Sequence, residues 1–347
     1  MNTRTLPGTG AGPDGDDASV SKARKPRLRD RGWWPWLKRG LTLAFFIAVS
    51  VLLWRYAQRL DWNEVWQSLL DMPRTALVVA VGLGVTSHLL YSCFDLLGRR
   101  YTGHKLRTRT VMMINFISYS FNLTLGSLVG GVAFRYRLYS KVGLKNGVIT
   151  RIVSMSMLTN WLGYMLLAGL LFILHPLALP PSWGMGNHGL QWVGFVLVAI
   201  SVGYLASCVL MGDRRWTVRG HELYLPPWRM AVLQLTISVV NWMVMAGIVY
   251  VLLQQKVEYT DVLTVLLVGA IAGVVAHVPG GIGVFEFVFI ALLGHVVPES
   301  QLIAALLGYR AIYYIGPTLL AAGLYLTFEL KTKRQQPGKE SGLQAAS

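Results

Sequence analysis

Residues 278–286 read Val-Pro-Gly-Gly-Ile-Gly-Val-Phe-Glu, and they set a proline, three glycines and a carboxylate between two apolar runs, Val262–Ala276 and Phe287–Val297. Each run is too short to cross a bilayer, whose hydrocarbon takes roughly 20 helical residues. Broken backbone at membrane depth is tolerated only where protein buries it or where it lines a polar cavity. The stretch therefore marks a place where a membrane protein handles something polar. Amides freed near Gly280, Gly281 and Gly283 open the returning half-helix, and such a start suits a phosphate or a carboxylate. Glu286 falls in the first turn of that half-helix. There it either complements the helix dipole or serves as a gate or a cation-responsive group.

Arg310 lies about ten residues, or roughly 15 Å, into another apolar segment. A charge at that depth is expensive unless it is paired or hydrated. Two readings fit. In one, Arg310 meets a ligand, helped by the hydroxyls of Tyr309, Tyr313 and Tyr314; in the other, it pairs with Glu286 and fixes the break against the span. A second Gly-rich stretch, Asn122–Gly131, is followed by Arg135, Arg137 and Arg151, with Tyr136 and Tyr139 between them. An arginine fork matches two phosphate oxygens, so these bases could collect a lipid phosphate from the cytoplasmic leaflet. They serve equally well as an orientation signal. Asn115 and Asn122 are read as groups that satisfy broken backbone.

Asp95 is expected to pair locally with Arg99, and His88 and His277 read as isolated, hydrogen-bonded fixtures. Seven histidines and two cysteines show no ligand spacing, so neither a metal nor a disulfide frame is expected. The chain carries no phosphate-binding P-loop, no serine nucleophile elbow and no paired intramembrane carboxylates. The expectation is a protein that is not an enzyme and uses no cofactor.

The elements that would position these groups are helices in a bilayer. Apolar residues make up 54% of the chain and charged ones 14%. Full spans are read over roughly 40–57, 75–97, 149–175, 190–212, 229–253 and 300–328. A short amphipathic helix over 61–70, with Asp61 as cap and Glu64 as its partner, is placed on the outer surface. Segment 110–133 resists a simple crossing, because the basic loops on its two sides would then face opposite compartments. An entry, a break near Asn122–Gly131 and a return remove that conflict. Two re-entrant hairpins follow, and 27 of the 32 Lys and Arg then fall on one face, which puts both termini in the cytoplasm. The net charge of +16 is thus an orientation and headgroup signal, and nucleic acid is excluded as a partner.

The organisation is a basic, disordered tail over 1–39, one membrane domain over 40–330 and a second tail over 331–347. The fold class is all-α, polytopic. Span 75–97, hairpin 110–133 and span 149–175 form one triplet; span 229–253, hairpin 262–297 and span 300–328 form another. An inverted repeat of this kind is a transporter architecture. Arg151 would match Arg310 in it, although the Asn160-Trp161 and Asn241-Trp242 pairs break that register.

Pro279-Gly-Gly-Ile-Gly-Val-Phe-Glu286 followed by Tyr309-Arg310 resembles the flippase-like transmembrane domain of lysylphosphatidylglycerol synthases. The stretch from Asn122 through Gly130-Gly131 to Arg135-Tyr136-Arg137 is similar to that family's other signature. The resemblance covers about 40–330 and is greatest to the stand-alone, YbhN-like bacterial inner-membrane members. It implies a lipid-moving protein of the inner membrane, with membrane lipids bearing anionic or phosphate headgroups as partners. It also implies the absence of the aminoacyl-transferase half. Many relatives carry Gly-Glu where this chain has Val132-Ala133, so no role for that glutamate carries over.

Overall fold

The computed structural model describes residues 62–177, 187–211, 215–218 and 221–334, together with Gln58. The tail over 1–39, the span over 40–57 and the residues after 334 lie outside the described residues.

A short helix α1 (Trp62–Leu70) leads into the long α2 (Arg74–Thr102). The first hairpin follows: α3 (Thr108–Leu125), a π-helical segment (Ser127–Ala133) and α4 (Phe134–Lys141). Then come α5 (Asn146–Leu174) and α6 (Asn187–Met211), a two-stranded ribbon of β1 (Arg215–Val218) and β2 (His221–Tyr224), and α7 (Trp228–Leu252). The ribbon is antiparallel, with Arg215 opposite Tyr224, and is the one departure from an all-helical chain among the described residues. The second hairpin is α8 (Tyr259–Val275), a single 3-10 turn (Pro279–Gly281) and α9 (Val284–Leu293). The last span is α10 (Glu299–Arg310), a π turn (Ala311–Ile315) and α11 (Gly316–Arg334).

Five stretches among the described residues are long and apolar enough to cross a bilayer: α2, α5, α6, α7 and the run from Glu299 to Leu330. Their outward faces carry Val78, Val85, Leu89, Phe195 and Leu319, each about half or more exposed. Apolar surface of that extent needs lipid to cover it. The descending hairpin legs, at 18 and 17 residues, are shorter than a crossing.

The hairpins turn back on themselves. His104, just before α3, lies 6.4 Å ring to ring from Tyr139 near the end of α4. Lys256, just before α8, donates to Gln301 beyond α9 at 2.8 Å. They also enter from opposite faces. α2 and α7 pack side by side, with Leu83 against Gly247, Ser87 bonded to Asn241 and Leu97 packed with Met230. Residue numbers rise on one helix as they fall on the other, so the helices are antiparallel. Each hairpin starts where one of them ends, at opposite ends of the pair. The two tips then meet: a Cβ on Gly280 would stand 3.0 Å from the carbonyl oxygen of Leu123. The order span, hairpin, span occurs twice, as the inverted repeat requires, but Arg151 is exposed and no buried counterpart of Arg310.

The expected cap of α1, Asp61, lies outside the described residues. Glu64 accepts a hydrogen bond from Ser300 Oγ at 3.0 Å, which ties α1 to the start of α10. Trp62, Trp66 and Leu70 are exposed while Val65 is buried, as expected for a helix lying at an interface.

Close packing at the first tip depends on one residue. A Cβ on Gly130 would fall 2.2 Å from backbone atoms of Phe121 and Asn122, which no side-chain movement relieves. We expect Gly130→Ala to abolish folded expression. In a chain lacking Cys93 and Cys208, single cysteines replacing His104 and Lys141 should react with an impermeant maleimide from the same side of the membrane, and a cysteine replacing His295 from the other. Labelling of positions 104 and 141 from opposite sides would overturn the first hairpin.

Candidate functional site

The second tip is built around Arg310. The helix α8 ends at Val275, and His277, Gly280, Gly281 and Gly283 all take positive φ as the chain reverses. Three of these are glycines because such backbone is costly for a residue with a Cβ. Reversal exposes carbonyls that lipid cannot satisfy. The guanidinium does so, with Nη1 donating to Gly280 O at 3.0 Å and Nη2 to Gly281 O at 3.3 Å. Its Nε and Nη2 also grip Glu286 as a fork, Nε donating to Oε1 and Nη2 to Oε2 at 3.1 Å. Glu286 Oε2 in turn accepts the Gly283 amide at 2.7 Å, closing the start of α9. The ring of Tyr314 lies 5.2 Å beneath the guanidinium.

This corrects one expectation about the glycines. Two of the amides do not stand open to an anion: Gly281 N–H is bonded to Val278 O at 2.9 Å and Gly283 N–H to Glu286. The carboxylate that the helix start attracts is the protein's own.

The first tip repeats the device. Arg135 was expected at the cytoplasmic surface, yet its side chain is 2% exposed and that of its partner Asp95 is fully buried. Arg135 Nε donates to Asp95 Oδ2 at 3.1 Å, Nη1 to Gly131 O at 3.0 Å and Nη2 to Ser156 Oγ at 3.3 Å. Tyr139 donates its hydroxyl to the same Asp95 oxygen at 2.9 Å. The pairing of Asp95 with Arg99 does not form; Arg99 reaches Thr108 Oγ1 at 2.7 Å instead. The reason is geometric. The returning leg packs α4 against α3 and α5, from where the long Arg135 side chain reaches Asp95 on α2, and a guanidinium buried there must find a carboxylate. Arg137 and Arg151 stay exposed, and Arg137 bonds Glu329 near the end of α11 at 3.2 Å, with Lys141 on the same carboxylate.

Four elements are joined by a buried chain that residue-by-residue reading missed. Tyr119 shares a hydrogen bond with Tyr313 at 2.9 Å, Tyr313 with Ser87 at 2.7 Å, and Ser87 donates to Asn241 Oδ1 at 2.8 Å. The π turn after Arg310 carries Tyr313 and Tyr314, so the tip contact and the network issue from one bulge. Such bulges recur at functional sites. His88 bonds Gly84 O at 2.9 Å and His277 bonds Val275 O at 2.8 Å, both local contacts of the expected kind.

Between the two tips, α5, α7 and α8 enclose a cavity of about 710 Å³. Its wall includes Tyr91, Tyr119, Asn122, Asn160, Trp242 and Tyr309. Tyr314, Gly280 and Gly281 also reach it, whereas Arg310 and Glu286 are not among the residues that line it. At the rim Leu125, Val274 and His277 are exposed. Of the residues singled out in sequence, the structure thus brings Gly280, Gly281, Gly283, Glu286, Tyr309, Arg310 and Asn122 to one place, and leaves Arg135, Arg137 and Arg151 elsewhere.

Leaving one member of the Asp95–Arg135 pair alone in the interior should cost about 3–5 kcal/mol. We expect Arg135→Gln to lower the melting temperature in detergent sharply. The double variant Asp95→Leu, Arg135→Met should recover much of that loss. A double variant no better than the single one would show that the pair does not act as a unit.

The chain matches the model of the lysylphosphatidylglycerol synthase TM region over residues 41–321. It is 50% identical to the inner membrane protein YbhN of Escherichia coli over 311 residues, 89% of this chain and 98% of that protein. It is 29% identical to an uncharacterised protein of Synechocystis, over 81% of this chain and 89% of the other. A phosphatidylglycerol lysyltransferase of Staphylococcus haemolyticus is 25% identical across 88% of this chain, but that match covers 35% of the longer protein. With its paired hairpins and the two motifs that build their tips, this multi-pass membrane protein belongs to the lysylphosphatidylglycerol synthase TM region family.

Proposed function

We propose that this protein is a lipid translocase of a bacterial inner membrane, carrying a lipid with an anionic or phosphate-bearing headgroup between leaflets. One observation carries the reading: two hairpins from opposite faces meet at a cavity whose largely apolar wall carries the amides of Asn122 and Asn160 and several tyrosines, with Leu125 and Val274 exposed at its rim. A headgroup can enter such a space sideways while its acyl chains stay in hydrocarbon. Asn122, Tyr309 and the tip at Gly280, Gly281 and Gly283 border the path, and Arg310 with Glu286 holds the tip in shape. Arg137 and Arg151, exposed near the base of the first hairpin with Arg107, Arg109 and Lys145, supply a basic surface for anionic lipid. Both termini are assigned to the cytoplasm on the charge asymmetry. The name of the Escherichia coli relative agrees with the compartment, and those of the staphylococcal relatives point to phosphatidylglycerol chemistry.

A second reading, a non-transporting scaffold or accessory subunit of a lipid-modifying system, is favoured by one fact. The buried Arg135 and the half-buried Arg310 are both matched by internal carboxylates and carbonyls, so neither by itself calls for a ligand.

The two readings separate in proteoliposomes. Purified protein should speed the leaflet exchange of fluorescent phosphatidylglycerol. Ala270→Trp, which fills the cavity from α8, should slow it at least tenfold with the melting temperature unchanged. Folded protein that moves no tested phospholipid or polyprenyl phosphate returns the scaffold reading.

A further inference from the structure

The wall of the cavity is uncharged. Among the described residues that line it there is no Asp, Glu, Lys or Arg, and His277 at the rim is the one side chain able to take a positive charge near neutral pH. Arg310 and Glu286, beside the tip glycines, are not among the lining residues and close on each other. The polar groups that remain are amides and hydroxyls. Asn122 on α3 and Asn160 on α5 both line the space, and neither side-chain amide bonds another described residue. The backbone around Asn160 is fixed, since its carbonyl accepts from Trp242 Nε1 at 3.4 Å and from Ser238 Oγ at 3.2 Å. Aromatic faces supply the rest: Tyr91 stacked on Tyr119 at 3.5 Å, Trp242, Phe285, and Tyr309 set edge-on to Tyr314.

These features discriminate between headgroup chemistries. A free amine would find aromatic faces, which attract cations. It would find no carboxylate, and the Arg310 guanidinium already lies 5.2 Å from the Tyr314 ring. A phosphate deep in the space would find no cation to pair with. A hydroxyl is different. It both donates and accepts, and so does an amide, so each free asparagine can make two bonds to neighbouring hydroxyls. The aliphatic face of a sugar or glycerol then lies on the aromatic rings, the apolar body and polar edge that such sites match. A volume of about 710 Å³ leaves room for a headgroup larger than glycerol.

We propose that the cavity selects lipids whose headgroup ends in an uncharged polyol, a glycerol or a hexose, over lipids whose headgroup ends in an amine. The inference rests on the reading of the cavity as the headgroup's place of passage. Where the lipid carries a phosphate, the phosphate stays toward the rim and the polyol goes inward to Asn122 and Asn160.

The test uses the full chain in phosphatidylcholine nanodiscs, with bound probes counted by native mass spectrometry. The probes are dioctanoyl phosphatidylglycerol, dioctanoyl phosphatidylethanolamine, a lysylated dioctanoyl phosphatidylglycerol and octyl glucoside. The glucoside lacks phosphate, so it separates a phosphatidyl polyol from any hydroxyl-rich headgroup. We expect phosphatidylglycerol to bind at least tenfold more tightly than phosphatidylethanolamine or the lysylated probe, and octyl glucoside to compete with it. Asn160→Leu should cut that preference below threefold, and Asn160→Gln should keep most of it. Should Asn160→Leu fail to fold, Asn122→Leu makes the same cut from the opposite wall. Equal or tighter binding of the amine-bearing probes, a preference that survives loss of the asparagine, or no saturable binding would each overturn the proposal. Selective binding without leaflet exchange defeats the translocase reading and leaves this inference standing. Exchange without selectivity does the reverse.

Discussion

A backbone that stops being helical inside hydrocarbon must find partners for its carbonyls and amides within the protein. Everything else in this fold is arranged around that demand, which arises twice. At each tip a guanidinium meets it by bonding glycine carbonyls with one part of its fork and a carboxylate with another. An arginine suits the task better than a lysine, because its donors point in several fixed directions at once. The carboxylate keeps the site neutral, which limits the penalty of burying a charge far from water.

The two solutions are alike in chemistry and different in layout. Arg135 sits on the returning leg and reaches a span, whereas Arg310 sits on a span and reaches the returning leg. The first pair anchors its hairpin to α2 and α5; the second anchors its hairpin to the long final helix. Tyr119, Tyr313, Ser87 and Asn241 then connect the first hairpin, that final helix, α2 and α7. A buried polar chain of this kind is worth keeping only when each member is matched, and it fixes how the hairpins and spans sit against one another.

Much of this was legible in the residues. A charge within an apolar run is conspicuous, so Arg310 and its carboxylate stood out, as did the glycines that let the chain reverse. The basic loops on both sides of 110–133 demand a hairpin on charge alone. Arg135 was misread because it lies among Arg137, Lys141 and Lys145, where a surface charge is the ordinary expectation. Its partner Asp95 is forty positions away, and only the return of the hairpin, with α4 packed on α3 and α5, brings the two side chains together. Serines and tyrosines within apolar helices carry no spacing signal, so the network could not be found in one dimension. The cavity has no sequence signature either: its two free asparagines come from different helices, and what they share is empty space between them.

On the proposed lipid path, Leu125 and Val274 at the rim carry a physiological corollary. A headgroup slipping in sideways would need no hydrated lane between the two aqueous compartments, so sodium and protons would have none to follow. A cell that held many copies of such a translocase would keep its respiratory voltage.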